Sequence, residues 1–466
     1  VNQQKQKVVV IGGGITGLVS AYYLLKRARE DKLSLDVILI EAGQRLGGKI
    51  QTTIKDGFVI EKGPESILAR KQSASRLAKE IGMEDQLVYN TEGKSFVLVR
   101  DRLHGLPGGS AGIPPKIGPF VTTGLISPIG KLRAAADFYL PRSNSSSDQS
   151  LGGFFRRRFG DEVVENLIEP LLSGIYAGDI DRISLMATFP EFYQAEQQYR
   201  SMILGLKKDN PAGETLNTKD GFLTFTGGLE SFVNAIESKL KAASILKGVK
   251  VEKVIKEGAD YTLTLNSGHV MTADAVIAAV PHLAVQQMFS AYPFFDHLKE
   301  MPANSVATIA MAFDASAIKK DFDGTGFVVS RNSDYSITAC TWIHKKWPHS
   351  TPAGKVLLRT QVGRAGDQTI VDLSDEEIEK IVLEDLNKTM DITSHPDFTI
   401  VSRWKDAMPQ YNVGHKQRVA ALKQHAADEL PGVILAGSSY EGQGLPDCID
   451  QGEEAVELVL EYLVKK

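Results

Sequence analysis

The sequence predicts an α/β fold with an added antiparallel sheet and a helical insertion, and three observations point to it. The apolar run Val8-Val9-Val10-Ile11 leads into a glycine-rich turn and an apolar helix from Leu18 to Leu25, and comparable buried-strand runs follow at Asp36 to Ile40, Ala275 to Val280 and Val433 to Ala436. From about Leu68 to Gly221 apolar residues fall instead at helical spacing, between loops rich in Gly, Pro and Ser. Short runs at Val306 to Phe313, Phe327 to Ser330, Ile337 to Trp342 and Val356 to Val362 suggest paired strands, with a helix at Asp375 to Met390. A chain of 466 residues is too long for one ordinary core, so two or three domains are expected.

The first turn, Gly12-Gly13-Gly14-Ile15-Thr16-Gly17, matches the G-x-G-x-x-G pattern that opens a dinucleotide-binding helix. Gly12 permits the tight turn, Gly14 keeps the pyrophosphate approach free of a side chain, and Gly17 lets the helix pack closely on the strand. The unpaired N–H groups and positive dipole end of that helix favour phosphate. Glu41 closes the second strand, where a carboxylate accepts ribose hydroxyls and repels a 2′-phosphate, so NADP is disfavoured.

Composition excludes several classes of partner. A formal charge of −4 with no block of like charge gives no reason to invoke nucleic acid. Cys340 and Cys448 are far apart and lack C-x-x-C spacing, which indicates neither a disulfide framework nor a metal site, and a reducing cytoplasm is the natural reading. The polar stretch Val1 to Lys7 reads against a signal peptide, and no run approaches the roughly 20 apolar residues of a membrane span. Peripheral membrane contact stays open.

After Glu41, the loop Ala42-Gly43-Gln44-Arg45-Leu46-Gly47-Gly48-Lys49 offers backbone to a ligand and two cations to offset phosphate. The turn Gly63-Pro64-Glu65-Ser66 would set N–H groups beside a flat ring. In the helical stretch, Ser73 to Ile81 and Leu151 to Leu172 are the helices expected, Gly105 to Gly130 is broken by Pro and Gly, and Ser143 to Ser147 reads as a surface loop. Arg156-Arg157-Arg158 would steer an anion or a phospholipid surface, or else form a solvated face paired with acids such as Asp161 and Glu162, the commoner outcome. Beyond the helix Leu229 to Leu240, the strands Val249 to Ile255, Tyr261 to Leu265 and His269 to Ala273 form a meander leading back to the first sheet. Near the end, Tyr440 to Asp447 is a second glycine-rich turn, and Pro446 suits the first turn of the final helix, whose N-terminus would be a second anion site. The two ends of the chain would then hold the two ends of one long cofactor.

These motifs together resemble the FAD-binding set of the flavin amine oxidase superfamily. The residues that carry the resemblance are Gly12-x-Gly14-x-x-Gly17, Glu41-x-x-x-Arg45-x-Gly47-Gly48-Lys49, Gly63-Pro64-Glu65-Ser66 and Gly437 with Gly442 to Asp447. Within that superfamily, Arg157-Arg158-Phe159-Gly160, Glu169-Pro170, Ser173 to Asp179 and Leu185 resemble the protoporphyrinogen oxidases of haem biosynthesis. Met408-Pro409-Gln410-Tyr411 and Gly442 to Gln451 are similar to the Gram-positive branch, which prefers coproporphyrinogen III.

The resemblance implies an FAD-binding Rossmann-like domain (1–68, 222–287 and 402–466), a helical insertion (69–174) and an antiparallel-sheet substrate domain (175–221 and 288–401). It implies a six-electron oxidation of a porphyrinogen, with molecular oxygen as acceptor and hydride passing from a meso carbon to flavin. Gly12 to Gly17 would hold the pyrophosphate, Glu41 with Ala42 the ribose side, and Arg45, Gly48, Lys49 and Gly63 to Ser66 the inner part of FAD. Val254 would meet the adenine; Trp404, Gly437, Leu445, Pro446 and Asp447 would sit near the isoalloxazine. Gly174 would present its carbonyl to the reacting carbon, the catalytic position of the set. No obvious side-chain base is required.

At Lys94-Ser95-Phe96 the sequence lacks the arginine that holds a propionate in the mitochondrial branch, which leaves substrate orientation open. Coproporphyrinogen carries four propionates, and Arg70 and Lys71 are the candidate cations for them. Trp342 and His344 read as packing residues. An amine oxidase or carotenoid desaturase shares the FAD set, and a non-catalytic lipid-carrier module shares the fold; both remain as alternatives. Oligomeric state is not legible.

Overall fold

The computed structural model describes residues 5–107, 117–143, 147–209 and 221–466. Parts of the segments expected as loops at Gly105 to Gly130 and Ser143 to Ser147 lie outside the described residues.

Strand β1 (Gln6–Ile11), helix α1 (Ile15–Glu30) and strand β2 (Leu35–Glu41) form the opening unit. The sheet built on it has five parallel strands in the order Ser244–Lys247, β2, β1, Ala275–Ala278 and Val433–Leu435. Both faces are covered, which is why these strands read as continuous apolar runs rather than alternating ones. Val8, Val10 and Leu39 face a layer containing α1 and the final helix Leu445–Lys465, while Val9, Ile11 and Val276 face the meander residues Val254, Tyr261 and Leu263. The final helix lies close enough to α1 for Ser20 Oγ to donate to Gly452 O at 3.1 Å. A side chain at Gly452 would meet Thr16 O at 2.7 Å. The meander is present as Val251–Glu257, Asp260–Leu265 and Val270–Ala273.

The second sheet has seven strands in the order Phe398–Pro409, Ala303–Asp314, Lys355–Val362, Ile337–Trp342, Gly326–Val329, Ser95–Val99 and Arg102–Gly105. Its pairings are antiparallel except that of Gly326–Val329 with Ser95–Val99, which is parallel. Ser95–Val99 and Arg102–Gly105, in the stretch expected as a helical insertion, are strands of this sheet, and the boundary expected at residue 402 falls inside the strand Phe398–Pro409. Local pattern marks a strand but not its partner across a long stretch of chain. Helix Asp375–Met390 packs on the sheet through Ile378, Val382 and Leu386 and starts with a reciprocal capping box between Ser374 and Glu377.

In the insertion, the helix expected from Leu151 to Leu172 is broken at Gly160, where φ is +86°. It continues as Asp161–Val163, a π-helical turn Val164–Ile168, and Glu169–Tyr176. The arginine run is spent on internal ion pairs. Arg156 binds Asp161, Glu165 and Asp181, and Arg157 binds Glu196. Arg158 is fully buried against Asp137 and Glu196, so it is not part of a solvated face; Glu162 serves Ser127 instead. Among the described residues no helix is long and apolar enough to cross a membrane.

Candidate active site

A cavity of about 770 Å³ runs along the carboxyl ends of the parallel strands and on into the space beside the seven-stranded sheet. Ile11, Glu41, Ala279 and Ala436, at or just past the ends of β1, β2 and the strands beside β1, line one part of it. This is where open parallel sheets bind ligands.

The three glycines of the first turn have different geometric reasons. Gly12 has φ +106°, and a Cβ there would lie 2.4 Å from Ala279 O; one on Gly17 would lie 1.8 Å from Gly12 O. A Cβ on Gly14 would meet nothing within 4 Å, because it points into the cavity that Gly14, Ile15 and Thr16 line. Helix α1 has no side-chain cap and no acid in its first turn, so its N–H groups and dipole stay available to an anion. Gly13 and Gly17 are structural and do not line the cavity: Gly13 N donates to Glu41 Oε2 at 2.7 Å, and Gly43 N donates to Glu41 Oε1 at 2.6 Å. Those two bonds fix the carboxylate beside Ala42 at the cavity edge.

Gly48 packs against Gly14, and a Cβ on Gly63 would lie 1.9 Å from Lys49 O and 3.4 Å from Trp404. Lys49 lines the cavity; its ammonium, whose pKa is lowered by burial, donates to Ala407 O at 2.5 Å and Ser438 Oγ at 3.3 Å. The Gly63 turn is braced from behind: Lys62 O accepts from Trp404 Nε1 at 2.7 Å and Thr308 Oγ1 at 2.6 Å, and Arg359 donates to Gly63 O. Gly63, Pro64, Ser66 and Trp404 line the cavity, but Glu65 does not. It turns away to meet Lys346 at 2.6 Å and Trp347 Nε1 at 3.1 Å. Burial alone would raise its pKa, but the charges of Lys346 and Arg359 outweigh that and hold it at about 2.

Glu61, beside it, is pushed by burial from the ordinary 4.5 up to about 7, although Leu229 N and Thr52 Oγ1 donate to it. A raised carboxyl stabilises the fold below its unfolded pKa and loses that contribution as pH rises through the folded one. Stability is therefore expected to fall between pH 4.5 and about 7 from this group, and Glu61→Gln is expected to flatten that slope in thermal unfolding measured across the range. An unchanged slope would show that Glu61 does not titrate there.

The last glycine turn corrects three expectations. Gly437 and Leu445 line the cavity, while Pro446 and Asp447 do not. Asp447 folds back over Gly442 and Gly444 and pairs with Lys71, so the positive end of the final helix is already met by its own carboxylate. Lys71 is thereby paired and Arg70 is exposed, and neither of the two expected substrate cations lines the cavity. Arg45 also points away, donating to Gly48 O at 3.0 Å and to Ile50 O, with Glu230 at 3.6 Å. Val254 pairs with Leu263 and is buried in the core; the cavity meets Val249 to Glu252, where a β-bulge shifts the register.

At the opposite end Gly174, Ile175 and Ala177 line the cavity. Three consecutive carbonyls just after Gly174 are held in place: Tyr176 O accepts from Gln410 at 2.9 Å, Ala177 O from Asn304 at 2.6 Å and Gly178 O from Arg331 at 3.3 Å. Gln361, Thr338 and Arg364 complete this end. Sequence reasoning missed Arg364, whose short motif Gly363-Arg364 carries no ligand signature. Trp342 and His344 do not line the cavity, as their reading as packing residues expects.

The profile of the flavin-containing amine oxidoreductase family matches residues 15–460. The chain belongs to that family. A coproporphyrinogen III oxidase of Bacillus subtilis strain 168 is 55% identical, with 98% of this chain and 99% of that one covered. One from Staphylococcus aureus is 44% identical over 98% and 100% of the two chains. A crystal structure from Exiguobacterium sp. 255-15, proposed as a protoporphyrinogen oxidase, superposes with a TM-score of 0.88 at 38% identity, covering 99% of this chain.

The lining fits the FAD of a flavin-containing family. An uncapped helix end and the open space at Gly14 suit a pyrophosphate, while Gly63, Trp404 and Leu445 offer flat and apolar walls. The acidic lining residues, Glu41 and Glu252, both lie at the nucleotide end, and no histidine lines the cavity among the described residues. Cys448 lies in the wall, but burial pushes its thiol up to about 11, so it stays protonated at neutral pH.

Proposed function

We propose that this chain is an oxygen-using coproporphyrinogen III oxidase, also able to take protoporphyrinogen IX, that carries out a six-electron oxidation to the porphyrin in haem biosynthesis. The observation that carries it is end-to-end similarity to coproporphyrinogen III oxidases at up to 55% identity, with the cavity intact. FAD supplies the hydride-accepting chemistry when bound. Gly14, Ile15 and Thr16 hold its pyrophosphate by backbone N–H groups, Gly12, whose N–H donates to Ile40 O at 2.8 Å, shapes the turn beneath it, and Glu41 holds the ribose. Lys49, the Gly63 to Ser66 turn, Trp404, Gly437 and Leu445 surround the ring. Gly174 sets a backbone carbonyl toward the reacting carbon, and the bonds from Gln410, Asn304 and Arg331 keep the following segment from moving. The protein's share of catalysis is thus positioning and exclusion of water, with no side-chain base.

The test is oxygen-dependent appearance of porphyrin fluorescence from coproporphyrinogen III and from protoporphyrinogen IX. Turnover of the first at the higher kcat/KM is expected. No reaction with either, alongside turnover of amines or polyenes, would overturn the reading.

Peripheral membrane contact no longer draws support from the arginine run, which is paired internally. It rests instead on Ile129, Leu132 and Tyr139, 81%, 76% and 85% exposed on one short stretch of the insertion. Flotation with phospholipid vesicles is expected to carry the protein upward, and to fail for Ile129→Ser with Leu132→Ser.

A further inference from the structure

Arg364 stands where the strand Lys355–Val362 ends, and its position is fixed by backbone rather than by a charged neighbour. Gly363 has φ +92°, with room for a Cβ denied by Ser305 O at 2.7 Å. Arg364 N donates to Asp367 O at 3.2 Å and Asp367 N donates back to Arg364 O at 2.9 Å, closing a tight turn. Arg364 lines the cavity at the same end as Gly174, Thr338 and Gln361.

Its charge is poorly answered by the protein. Its hydrogen bond is a long one, to Ile337 O at 3.4 Å, and among the described residues no carboxylate forms an ion pair with it. The acids that act on it are Glu169, Asp367 and Asp385: Glu169 pairs with Arg331 at 2.5 Å, Asp385 binds Lys388 at 3.0 Å and accepts from Ser336 N at 2.7 Å, and the exposed Asp367 meets Arg364 through backbone and forms no ion pair with it. The other cations of the lining are used or remote. Lys49 is bound to Ala407 O and Ser438, and Lys250 is exposed at the nucleotide end. A partly desolvated guanidinium with one weak acceptor is a site short of an anion, and a carboxylate matches its fork.

We propose that Arg364 binds a carboxylate of the substrate and is the specificity-determining cation of this enzyme. The proposal rests on the porphyrinogen reading for the identity of the acid. Thr338 and Gln361 supply neutral hydrogen-bonding groups beside it, so the wall that receives the acidic edge of the ring is the seven-stranded sheet. Lys71, paired to Asp447, does not line the cavity.

The experiment compares wild type, Arg364→Gln and Arg364→Lys on coproporphyrinogen III and on its fully methylated ester, in holoenzyme of unchanged flavin absorbance. Removing a charge-assisted bond is expected to raise KM for the free acid about tenfold to a hundredfold in the glutamine variant, with little change in kcat, and the lysine variant is expected to fall between. KM for the ester should be the same in all three. An unchanged KM for the acid, or an equal rise for acid and ester, overturns the assignment, as does loss of the flavin spectrum in both variants. Binding of the oxidised tetra-acid coproporphyrin III, followed by fluorescence quenching, gives a readout without turnover. If wild type oxidises neither porphyrinogen, the porphyrinogen reading fails; the difference between acid and ester binding in wild type and Arg364→Gln still decides whether Arg364 is a carboxylate site.

Discussion

Replacing Asp137 with alanine is expected to destabilise the helical insertion by about 3–5 kcal/mol, the usual cost of leaving a buried charge without its partner. Asp137 and Arg158 are both fully buried. Arg158 Nε donates to Asp137 Oδ1 at 2.6 Å, and its other nitrogens reach Pro141 O at 3.0 Å and Arg200 O at 2.6 Å. The second carboxylate oxygen accepts from Ser201 Oγ at 2.5 Å and Ile203 N at 3.0 Å. Alanine would strand the guanidinium, a hydroxyl and a backbone N–H at once, with only Glu196, shared with Arg157, to offset the charge. Thermal and urea unfolding should both register the loss, and Asp137→Asn should lose less because it keeps one acceptor. A shift within about 0.5 kcal/mol, the range of ordinary surface changes, would refute this account.

Gly14→Val is expected to leave the apoprotein as stable as wild type and to weaken FAD binding at least about tenfold, equivalent to 1.4 kcal/mol. Its backbone, at φ −68° and ψ 177°, is extended and open to any residue, and a Cβ meets no protein atom within 4 Å. Any loss must then come from the ligand. Gly17→Val is the contrast, because its Cβ would lie 1.8 Å from Gly12 O and should compromise folding itself. Flavin absorbance per mole and unfolding of the apoproteins separate the two effects. Full flavin content in Gly14→Val would show that the pyrophosphate does not pass there.

What could be read from sequence was what short-range chemistry encodes. Gly12, Gly17 and Gly63 announce themselves because only glycine satisfies the contacts their turns impose. Helices Ser73–Ile81 and Asp375–Met390 fall where periodicity and capping residues set them. Several departures concern where a long side chain ends up. Lys71, Arg45 and Glu65 lie in loops that the motifs mark, but Asp447, Glu230 and Lys346, remote in sequence, pair with them. Arg364 was missed for the same reason in reverse, since nothing local distinguishes it from a surface arginine. The parallel pairing of Ser95–Val99 with Gly326–Val329 depends on chain closure and leaves no local trace.

The strand Phe398–Pro409 has a consequence for how the family's chain lengths can vary. It pairs with Ala303–Asp314 along its length, brings Trp404, Ala407 and Met408 to the cavity, and passes directly into Gln410, which holds Tyr176 O, and Tyr411, which holds Ser438 O at 2.7 Å. Cofactor wall and substrate wall are thereby joined by one strand, interrupted at Asp406, where φ is +48° and the register with Ala303–Asp314 shifts. Surface loops tolerate added residues at little cost, but one residue inserted in the regular part of the strand, Phe398 to Trp404, would reverse the facing of the side chains up to that shift. Length changes among relatives should gather in the connections and spare the regular part of this strand, which places Trp404 in the cavity wall.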